Sequence, residues 1–238
     1  MKMKKTIIAL LLALCVTSAS YAQSQMFISY DFRANPGSED AIAKLLTDYH
    51  DQVGSYKSGG MNVLRMDMKG EMETTHRVVI LGEIDNFGPE NPTPEARLQS
   101  ELLGKKLEDH IEKETSSVAG YILYGRGDGV EGDSYGAGWL MNVTDPATFA
   151  PSFLKFANSD EINAILGDRT LMFGSFAAGG TSIPATHWVY AYFANIVDYM
   201  ATMEQIYASD AFQLHQEEVA GIYTLTREFT EEQILSFE

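Results

Sequence analysis

Two histidines stand in the same local sequence, 111 positions apart. His76 and His187 each follow a threonine and open an apolar run, in "THRVVIL" and "THWVYAYF". The imidazole has an ordinary pKa close to neutrality, which makes it the commonest general base in enzymes. His76 and His187 are therefore the candidate catalytic residues. In the alternative interpretation, each histidine only begins a strand and bonds to a loop carbonyl, and it recurs because the chain is duplicated.

Aromatic side chains alternate along the strand that His187 begins. Successive side chains of a strand point to opposite faces, so Trp188, Tyr190 and Tyr192 share one face. We expect this face to look into the space between two sheets, where it would line a pocket for a flat or apolar ligand. The alternative is a solid core with the hydroxyl groups at its rim.

The equivalent face in the first half of the chain carries a charge. Its interior positions are Arg77, Val79 and Leu81. An unpaired charge in an apolar enclosure costs several kcal/mol, so Arg77 must meet a carboxylate, a ligand anion, or water at the rim. On this interpretation, Trp188→Ala should abolish the binding of an aromatic acid. The predicted ligand-binding residues are Arg77, Trp188, Tyr190 and Tyr192.

Three further histidines, His50, His110 and His215, lie on predicted helices and have no counterpart in the other half. "HIEKE" and "HQEEV" place a carboxylate about one turn after His110 and His215, a spacing that a metal ion can use. No third and fourth ligand can be named, so we interpret these histidines as solvated helix surface. We predict no metal site and no cofactor. Neither a Gly-x-Ser-x-Gly motif nor a phosphate-binding loop occurs.

Two nine-residue segments are nearly identical, "VAGYILYGR" (Val118–Arg126) and "VAGIYTLTR" (Val219–Arg227). Their β-branched and aromatic content favours strands, and we predict that they are equivalent strands closing the two halves of a duplicated chain. The interval from the preceding histidine is 42 residues in the first half and 32 in the second, which predicts one shorter connection. The glycine-rich "GRGDGVEGDSYGAG" is typical of a linker and places a boundary near Val130, between units 23–130 and 131–238.

Each half shows the same order of elements. In the first, strand patterns at Met26–Arg33, "MNVLRMDM" and Val78–Ile84 alternate with two helix patterns, one following Ser38 and one following Thr93. The second half repeats this order, with a break expected at "SDAF" in its last helix. Two successive β-α-β-β-α-β units predict an α+β fold of tandem ferredoxin-like units.

This topology also places the ends of the strands. Neighbouring strands run antiparallel, so the third and fourth strands of a unit start at the same edge of the sheet. Arg126 and Arg227, which end the predicted fourth strands, should then lie about 20 Å from His76 and His187. A histidine–arginine site within one unit is not expected, whereas one formed across the two units stays open.

The arrangement resembles the dimeric α/β barrel superfamily, in which two ferredoxin-like units pack their sheets face to face. The segment "IYASDAFQLHQEEVAG" is similar in style to the second helix of several members. The superfamily includes antibiotic-biosynthesis-type monooxygenases, haem-degrading monooxygenases, chlorite dismutases and small stress-response proteins. The resemblance covers nearly the whole chain after residue 22 and implies a tandem-duplicated, single-chain α/β barrel. The residue patterns of the haem-degrading members are not evident.

The first 22 residues have the organisation of a signal peptide. "MKMKK" is basic, "TIIALLLALCV" is apolar but too short to span a bilayer, and "SYA" supplies small residues before Gln23. We expect cleavage after Ala22 and a periplasmic or secreted bacterial protein. Cys15 offers lipidation as the alternative, which the bulky Leu14 before it disfavours.

The chain is acidic, with 17 Lys and Arg against 33 Asp and Glu. Cleavage would remove three lysines and no acid, which changes the formal charge from −16 to −19. Such a chain lacks the basic surface that nucleic acid or anionic lipid requires, so neither is an expected partner. Cleavage would also remove the only cysteine, which excludes thiol catalysis.

Two functions remain open from the sequence. The first is an exported barrel, monomeric or homodimeric, that binds a small apolar or aromatic molecule or serves as an interaction scaffold. The second is an enzyme, either a cofactor-independent monooxygenase with His76 or His187 as base, or a haem-associated barrel enzyme. An open interior with a histidine in its wall would favour the enzyme.

Overall fold

The computed structural model describes residues 25–180 and 184–238, so the expected signal peptide lies outside the described residues. The described residues form eight β-strands, six α-helices and one 3₁₀ turn at Ile84–Asn86. The strands are β1 (Gln25–Ala34), β2 (Gly60–Met66), β3 (His76–Glu83), β4 (Ile111–Arg126), β5 (Tyr135–Val143), β6 (Leu171–Gly180), β7 (His187–Phe193) and β8 (Tyr223–Phe237). The helices are α1 (Glu39–Val53), α2 (Pro94–Glu108), α3 (Pro146–Ala157), α4 (Asp160–Leu166), α5 (Ile196–Ala208) and α6 (Asp210–Glu218).

The strands close into one antiparallel barrel in the order β1-β3-β2-β8-β5-β7-β6-β4. Within each unit the order is that of a β-α-β-β-α-β sheet, and the units join where β2 pairs with β8 and β4 with β6. Closure leaves no sheet edge exposed to pair with another chain. The predicted α+β fold of two tandem units, with their sheets facing each other, is confirmed.

Helices cover the outer face of the barrel. In the first unit, Ile42 and Leu46 of α1 pack on β1, β2 and β3. In the second unit, the phenylalanines of α3 pack on β6 and β7. Each helical connection of the second unit is broken once by a serine, and both serines cap the helix that follows, Ser159 at α4 and Ser209 at α6. The break expected at "SDAF" is therefore confirmed.

The matched nine-residue segments are not equivalent strands. Val118–Arg126 lies within β4, but Val219 ends α6, and β8 begins only at Tyr223. Gly221 has a φ of 76° in the turn after α6, a conformation that favours glycine. Gly120, in contrast, lies inside β4. The same sequence, Val-Ala-Gly, thus follows the end of a helix in the second unit and forms part of a barrel strand in the first.

The register of the strands gives the true correspondence. Ile111 at the start of β4 pairs with Ala34, and Tyr223 at the start of β8 pairs with Val143. The interval from the first residue of β3 to the first of β4 is 35 residues, and that from the first of β7 to the first of β8 is 36. The predicted shortening of the second half is therefore wrong, because it was measured from the misaligned segment.

Glycines make room for aromatic rings inside the barrel. At four positions of the wall, a Cβ atom would lie within 2.6 Å of a ring atom or hydroxyl on another strand, and none of these glycines has a positive φ. They are therefore required for space and not for backbone freedom. The four pairs are Gly120 with Phe27, Gly136 with Tyr190, Gly138 with Phe229, and Gly174 with Trp188.

Gly138→Ala is expected to destabilise the protein by about 1–3 kcal/mol, the usual cost of overpacking. The added Cβ would lie 2.3 Å from Cζ of Phe229, which is buried. Gly104→Ala is the matched control, because Gly104 lies on α2 with no atom within 4 Å of the new methyl group. That change should stabilise the protein by about 0.5–1 kcal/mol through helix propensity. Urea unfolding of both variants measures the two effects, and a shift of the same sign in both would contradict the steric explanation.

Candidate functional site

The barrel encloses a cavity of about 310 Å³. One part of its wall is aromatic and aliphatic, and it contains a T-shaped pair in which the Phe27 and Trp188 ring centroids are 5.1 Å apart. The other part is charged, around Arg77. The main apolar lining residues are Phe27, Val79, Leu81, Leu140, Trp188 and Phe229, and the main polar ones are Ser29, Asp31, Arg77, Tyr190, Arg227 and Glu231.

The period of two along each strand brings these side chains inward. Arg77, Val79 and Leu81 of β3 all line the cavity, as do Trp188, Tyr190 and Tyr192 of β7. The structure thus brings all four residues predicted to bind a ligand to one cavity. Their binding role remains a prediction.

Arg77 is held by carboxylates. Its Nε and Nη2 donate to the two oxygens of Asp31 at 2.7 and 2.9 Å, and its Nη1 lies 3.3 Å from Oε2 of Glu231. Ser29 donates a further hydrogen bond to Asp31. The guanidinium also lies 4.6 Å from the ring centroid of Phe229, within cation–π range. Among the partners that the sequence left open for Arg77, the structure supplies a carboxylate.

Burial sets the protonation of this cluster. Burial alone would lower the pKa of Arg77, but Asp31 and Glu231 outweigh it and raise the pKa, so the guanidinium stays charged. Burial raises the pKa of Glu231, an effect that the neighbouring Arg77 opposes. Glu231 is fully buried, with 0% of its surface exposed. The cavity wall therefore holds one fixed cation beside a carboxylate whose proton affinity is increased.

Three polar atoms of the wall have no hydrogen-bond partner, namely Nε1 of Trp188, the hydroxyl of Tyr190 and Oε1 of Glu231. All three are buried. The side chains of Tyr190 and Glu231 converge, since Gly136 pairs with Glu231 and its Cβ position lies against the Tyr190 hydroxyl. The two groups are close enough to perturb each other's pKa, yet no hydrogen bond of normal geometry joins them. Buried polar groups are usually satisfied, so a ligand or water is expected here.

The ion pair between Asp31 and Arg77 has no counterpart in the second unit. Asp31 pairs with Arg77, and the corresponding pair in the second unit is Leu140 with Trp188. Duplication has therefore been followed by divergence at the same two places, with an ion pair on one side and an apolar pair on the other. At these positions the cavity wall is therefore charged on the side of the first unit and apolar on the side of the second.

Sequence reasoning missed the carboxylates. Asp31 was available from the alternation of Phe27, Ser29 and Asp31 in "MFISYDFR", which places an acid on the inner face of β1. Glu231 could not be found in the same way, because the repeat predicts a last strand that ends at Arg227, within "VAGIYTLTR". That prediction assigns no strand to the residues after Arg227, although β8 continues to Phe237.

The histidines predicted as catalytic lie outside the cavity. His76 and His187 are buried on the helix-facing side, where His76 stacks on Phe32 and His187 stacks on Phe173. Burial lowers the pKa of both imidazoles. Neither histidine lines the cavity, so neither can act as a base on a molecule bound there.

Each of these histidines is fixed by its own threonine. The hydroxyls of Thr75 and Thr186 lie 2.9 Å from Nδ1 of His76 and His187 and also accept the amide N–H of a neighbouring strand. The repeated Thr-His pair therefore joins strands in both units. The structure supports the interpretation that each histidine begins a strand, although the bond is to a hydroxyl and not to a loop carbonyl.

The two arginines predicted to end the fourth strands are placed differently. Arg126 ends β4 and binds Asn163 and the carbonyls of Ala157 and Gly167, at the end of the barrel opposite His76. Arg227 lies early in β8, opposite Leu140, and lines the cavity. The predicted position of Arg227 is wrong because β8 starts later than the matched segment.

A second cavity of about 240 Å³ lies between the sheet and the helices of the second unit, and His215 lines it. His215 is 6% exposed, so its interpretation as solvated surface is wrong. Ser152 donates to Glu218 and therefore accepts from Nδ1 of His215, which leaves the lone pair on Nε2. Burial lowers the pKa of His215 to about 4.

The haem-associated alternative finds no matching site. The second cavity is smaller than the roughly 300–1,000 Å³ of ordinary ligand pockets, and its walls carry no lysine or arginine for the carboxylates of a porphyrin. No histidine lines the barrel cavity. In residues 25–180 and 184–238, no group of three His, Cys, Asp or Glu could hold a metal ion. Over the same residues, no helix has the length and apolar character needed to cross a membrane.

Neither a family model nor a curated protein matches the sequence. Solved structures do match. A putative monooxygenase from Lactobacillus acidophilus NCFM has a TM-score of 0.60 at 10% identity, over 90% of this chain and 96% of that chain. A putative monooxygenase from Fusobacterium nucleatum subsp. nucleatum has a TM-score of 0.58 at 12% identity, over 90% and 94%. An anthrone oxidase-like protein has a TM-score of 0.53 at 10% identity, over 90% and 92%.

At such low identity, the likeness establishes the fold and not the activity. The likeness covers 90% of this chain and 96% and 94% of the two putative monooxygenases, so it extends over both units. The protein therefore has the dimeric α+β barrel fold, with both of its ferredoxin-like units on a single polypeptide.

Proposed function

We propose that the protein is an exported barrel that binds a small aromatic molecule in its interior. The observation that carries this proposal is a cavity of about 310 Å³ inside the barrel, whose wall combines aromatic rings with three unpartnered polar atoms. Ligand sites are mostly apolar enclosures with a few convergent polar groups, which is the character of this space. Its volume is at the lower end of the usual range, which favours a ligand of one or two fused rings.

The arrangement of the aromatic rings supports a ligand-binding cavity and not a solid core. Phe27 and Trp188 contact each other edge to face, and Gly120 and Gly174 on the adjacent strands leave the space that the two rings occupy. Such rings present fixed surfaces for stacking. Export is part of the proposal because the first 22 residues have the organisation of a signal peptide.

Oxygenase chemistry without a cofactor is the second candidate. Glu231, not a histidine, is the group in the cavity wall suited to accept a proton, since it is buried, has a raised pKa and keeps Oε1 free. Structural neighbours described as putative monooxygenases are compatible with this candidate at the level of the fold. Oxygen consumption on addition of a bound hydroxyaromatic molecule, in buffer treated with chelator, separates catalysis from simple binding.

N-Phenyl-1-naphthylamine, an uncharged probe that fluoresces in apolar surroundings, is expected to bind the protein. Trp188→Ala should weaken this binding roughly tenfold, because the probe loses a stacking partner. Trp139→Ala is the matched control, since Trp139 faces the helices and lines the second cavity. Fluorescence titration gives the three affinities. Equal weakening by both variants, or weakening by Trp139→Ala alone, would place the ligand outside the barrel interior.

A further inference from the structure

One strand of the cavity wall carries three different chemistries in order. Arg227, Phe229 and Glu231 alternate along β8, and all three line the cavity. The inner side of the strand therefore reads cation, aromatic ring, carboxylate. At about 3.3 Å per residue, the Cα atoms of Arg227 and Glu231 lie about 13 Å apart, with Phe229 midway.

The neighbouring strand leaves this row open to the interior. On β5, the residues that pair with Glu231 and Phe229 are Gly136 and Gly138, which have no side chains. Beyond them, Tyr190 and Trp188 of β7 face the same space. The Tyr190 hydroxyl adds to the Glu231 end, because it lies against Gly136. Trp188 pairs with Leu140 as Arg227 does, but its indole lies over Gly174 of β6, on the side away from β8.

The two ends differ in what they lack. At one end, Oε1 of the fully buried Glu231 accepts no hydrogen bond. Nε1 of Trp188, over Gly174 of β6, is a further buried donor with no acceptor. At the other end, the guanidinium of the partly exposed Arg227 forms no hydrogen bond or ion pair within the part of the chain that the structure describes. The Glu231 end thus offers a ligand hydroxyl an acceptor beside the Tyr190 hydroxyl, and the Arg227 end offers an anion a free cation.

Arg77 does not offer a free cation to a ligand. Both oxygens of Asp31 and one oxygen of Glu231 already contact its guanidinium. A ligand anion placed beside Arg77 would meet two carboxylates. Lys113, the third cation of the wall, is already paired with Glu73, so the anion site belongs to Arg227.

We propose that the cavity selects a hydroxyaromatic acid, bound with its hydroxyl on Glu231, its ring beside Phe229 and its carboxylate on Arg227. This inference rests on the proposed function and deepens it, since it names the ligand class of the same cavity. Arg227 and Glu231 are the residues that determine specificity.

Four naphthalenes test the proposal by calorimetry on the full mature chain: 6-hydroxy-2-naphthoate, 2-naphthoate, 2-naphthol and naphthalene. The hydroxynaphthoate should bind tightest. Removal of its hydroxyl should weaken binding about 10- to 100-fold, because a hydrogen bond to a buried carboxylate is lost. Removal of its carboxylate should weaken binding by a smaller factor, since Arg227 reaches solvent.

Two variants assign each end of the ligand. In Glu231→Gln, the hydroxyl of the ligand should no longer increase its affinity, whereas the carboxylate still should. In Arg227→Met, the carboxylate should no longer increase the affinity, whereas the hydroxyl still should. Asp133→Asn and Arg97→Met are the matched controls, because Asp133 is a buried carboxylate outside the cavity and Arg97 lies exposed on α2. Neither control should alter the ranking of the four compounds.

The ligand series also works in the wild-type protein, so the test stands if a variant fails to fold. Equal affinity for all four compounds would overturn the two-ended site while leaving the proposed barrel binding intact. The same holds if N-phenyl-1-naphthylamine binds and none of the four compounds does. Failure of that probe and of all four naphthalenes would overturn the proposed function as well.

Discussion

Arg77→Met is expected to lower the free energy of unfolding by about 3–5 kcal/mol, the usual cost of breaking a buried ion pair from one side. The substitution would leave Asp31 and Glu231 without their cation, and their side chains are 9% and 0% exposed. Methionine has a similar length and fills similar space, so the loss reports on charge more than on volume. Urea unfolding with circular dichroism detection measures it.

A compensated variant isolates the electrostatic cause. Combining Arg77→Met with Asp31→Asn and Glu231→Gln removes all three charges, and it should recover much of the stability that Arg77→Met loses. Arg97→Met should have no measurable effect, because the pair of Arg97 with Glu101 on α2 is exposed. A loss below about 1 kcal/mol in Arg77→Met would mean that water solvates the two carboxylates inside the barrel.

The fold could be predicted from the sequence because its signals are local and repeated. Alternation in strands such as "HWVYAYF" and the cap at Thr93 each indicate one element without reference to the rest of the chain. The order of the elements then leaves few topologies. The Thr-His pairs recur because they hold equivalent strand junctions in both units. They were a reliable guide to the duplication, although not to catalysis.

The repeated nine-residue segment misled because similarity of letters does not fix backbone conformation. Gly221 adopts a positive φ after a helix, whereas Gly120 serves to clear space for Phe27. A glycine satisfies both requirements equally well. The sequence alone could not tell which one applied, so β8 was placed four residues early.

The site was predicted in part for a similar reason. Alternation showed that Arg77 and Trp188 face inward, and electrostatics required a partner for the arginine. The identity of that partner depends on which strands become neighbours when the barrel closes. Glu231 reaches Arg77 only because β2 pairs with β8, a contact between residues 154 positions apart. Long-range pairing of this kind leaves no local signal.

His215 should make the stability of the second unit sensitive to acid. Its pKa is about 4 in the folded protein because burial disfavours the charged imidazole. In the unfolded chain an imidazole has its ordinary pKa of about 6.5. Between these values the unfolded chain binds a proton that the folded protein does not, so stability falls as the pH falls from about 6.5 towards 4. Above about 6.5 this residue contributes no pH dependence.

We therefore expect His215→Phe to lose less stability than the wild type between pH 7 and pH 4.5, by about 2–3 kcal/mol. Phenylalanine keeps an aromatic ring among Phe149, Phe153 and Phe156 but cannot bind a proton. Ser152 retains Glu218 as its hydrogen-bond acceptor in the variant. His76 and His187 are also buried with lowered pKa values, and both chains keep them, so their effect cancels in the comparison. Urea unfolding at the two pH values gives the difference. Equal losses in the two proteins would show that the imidazole of His215 is protonated as readily in the folded protein as in the unfolded chain, and that water enters the second cavity.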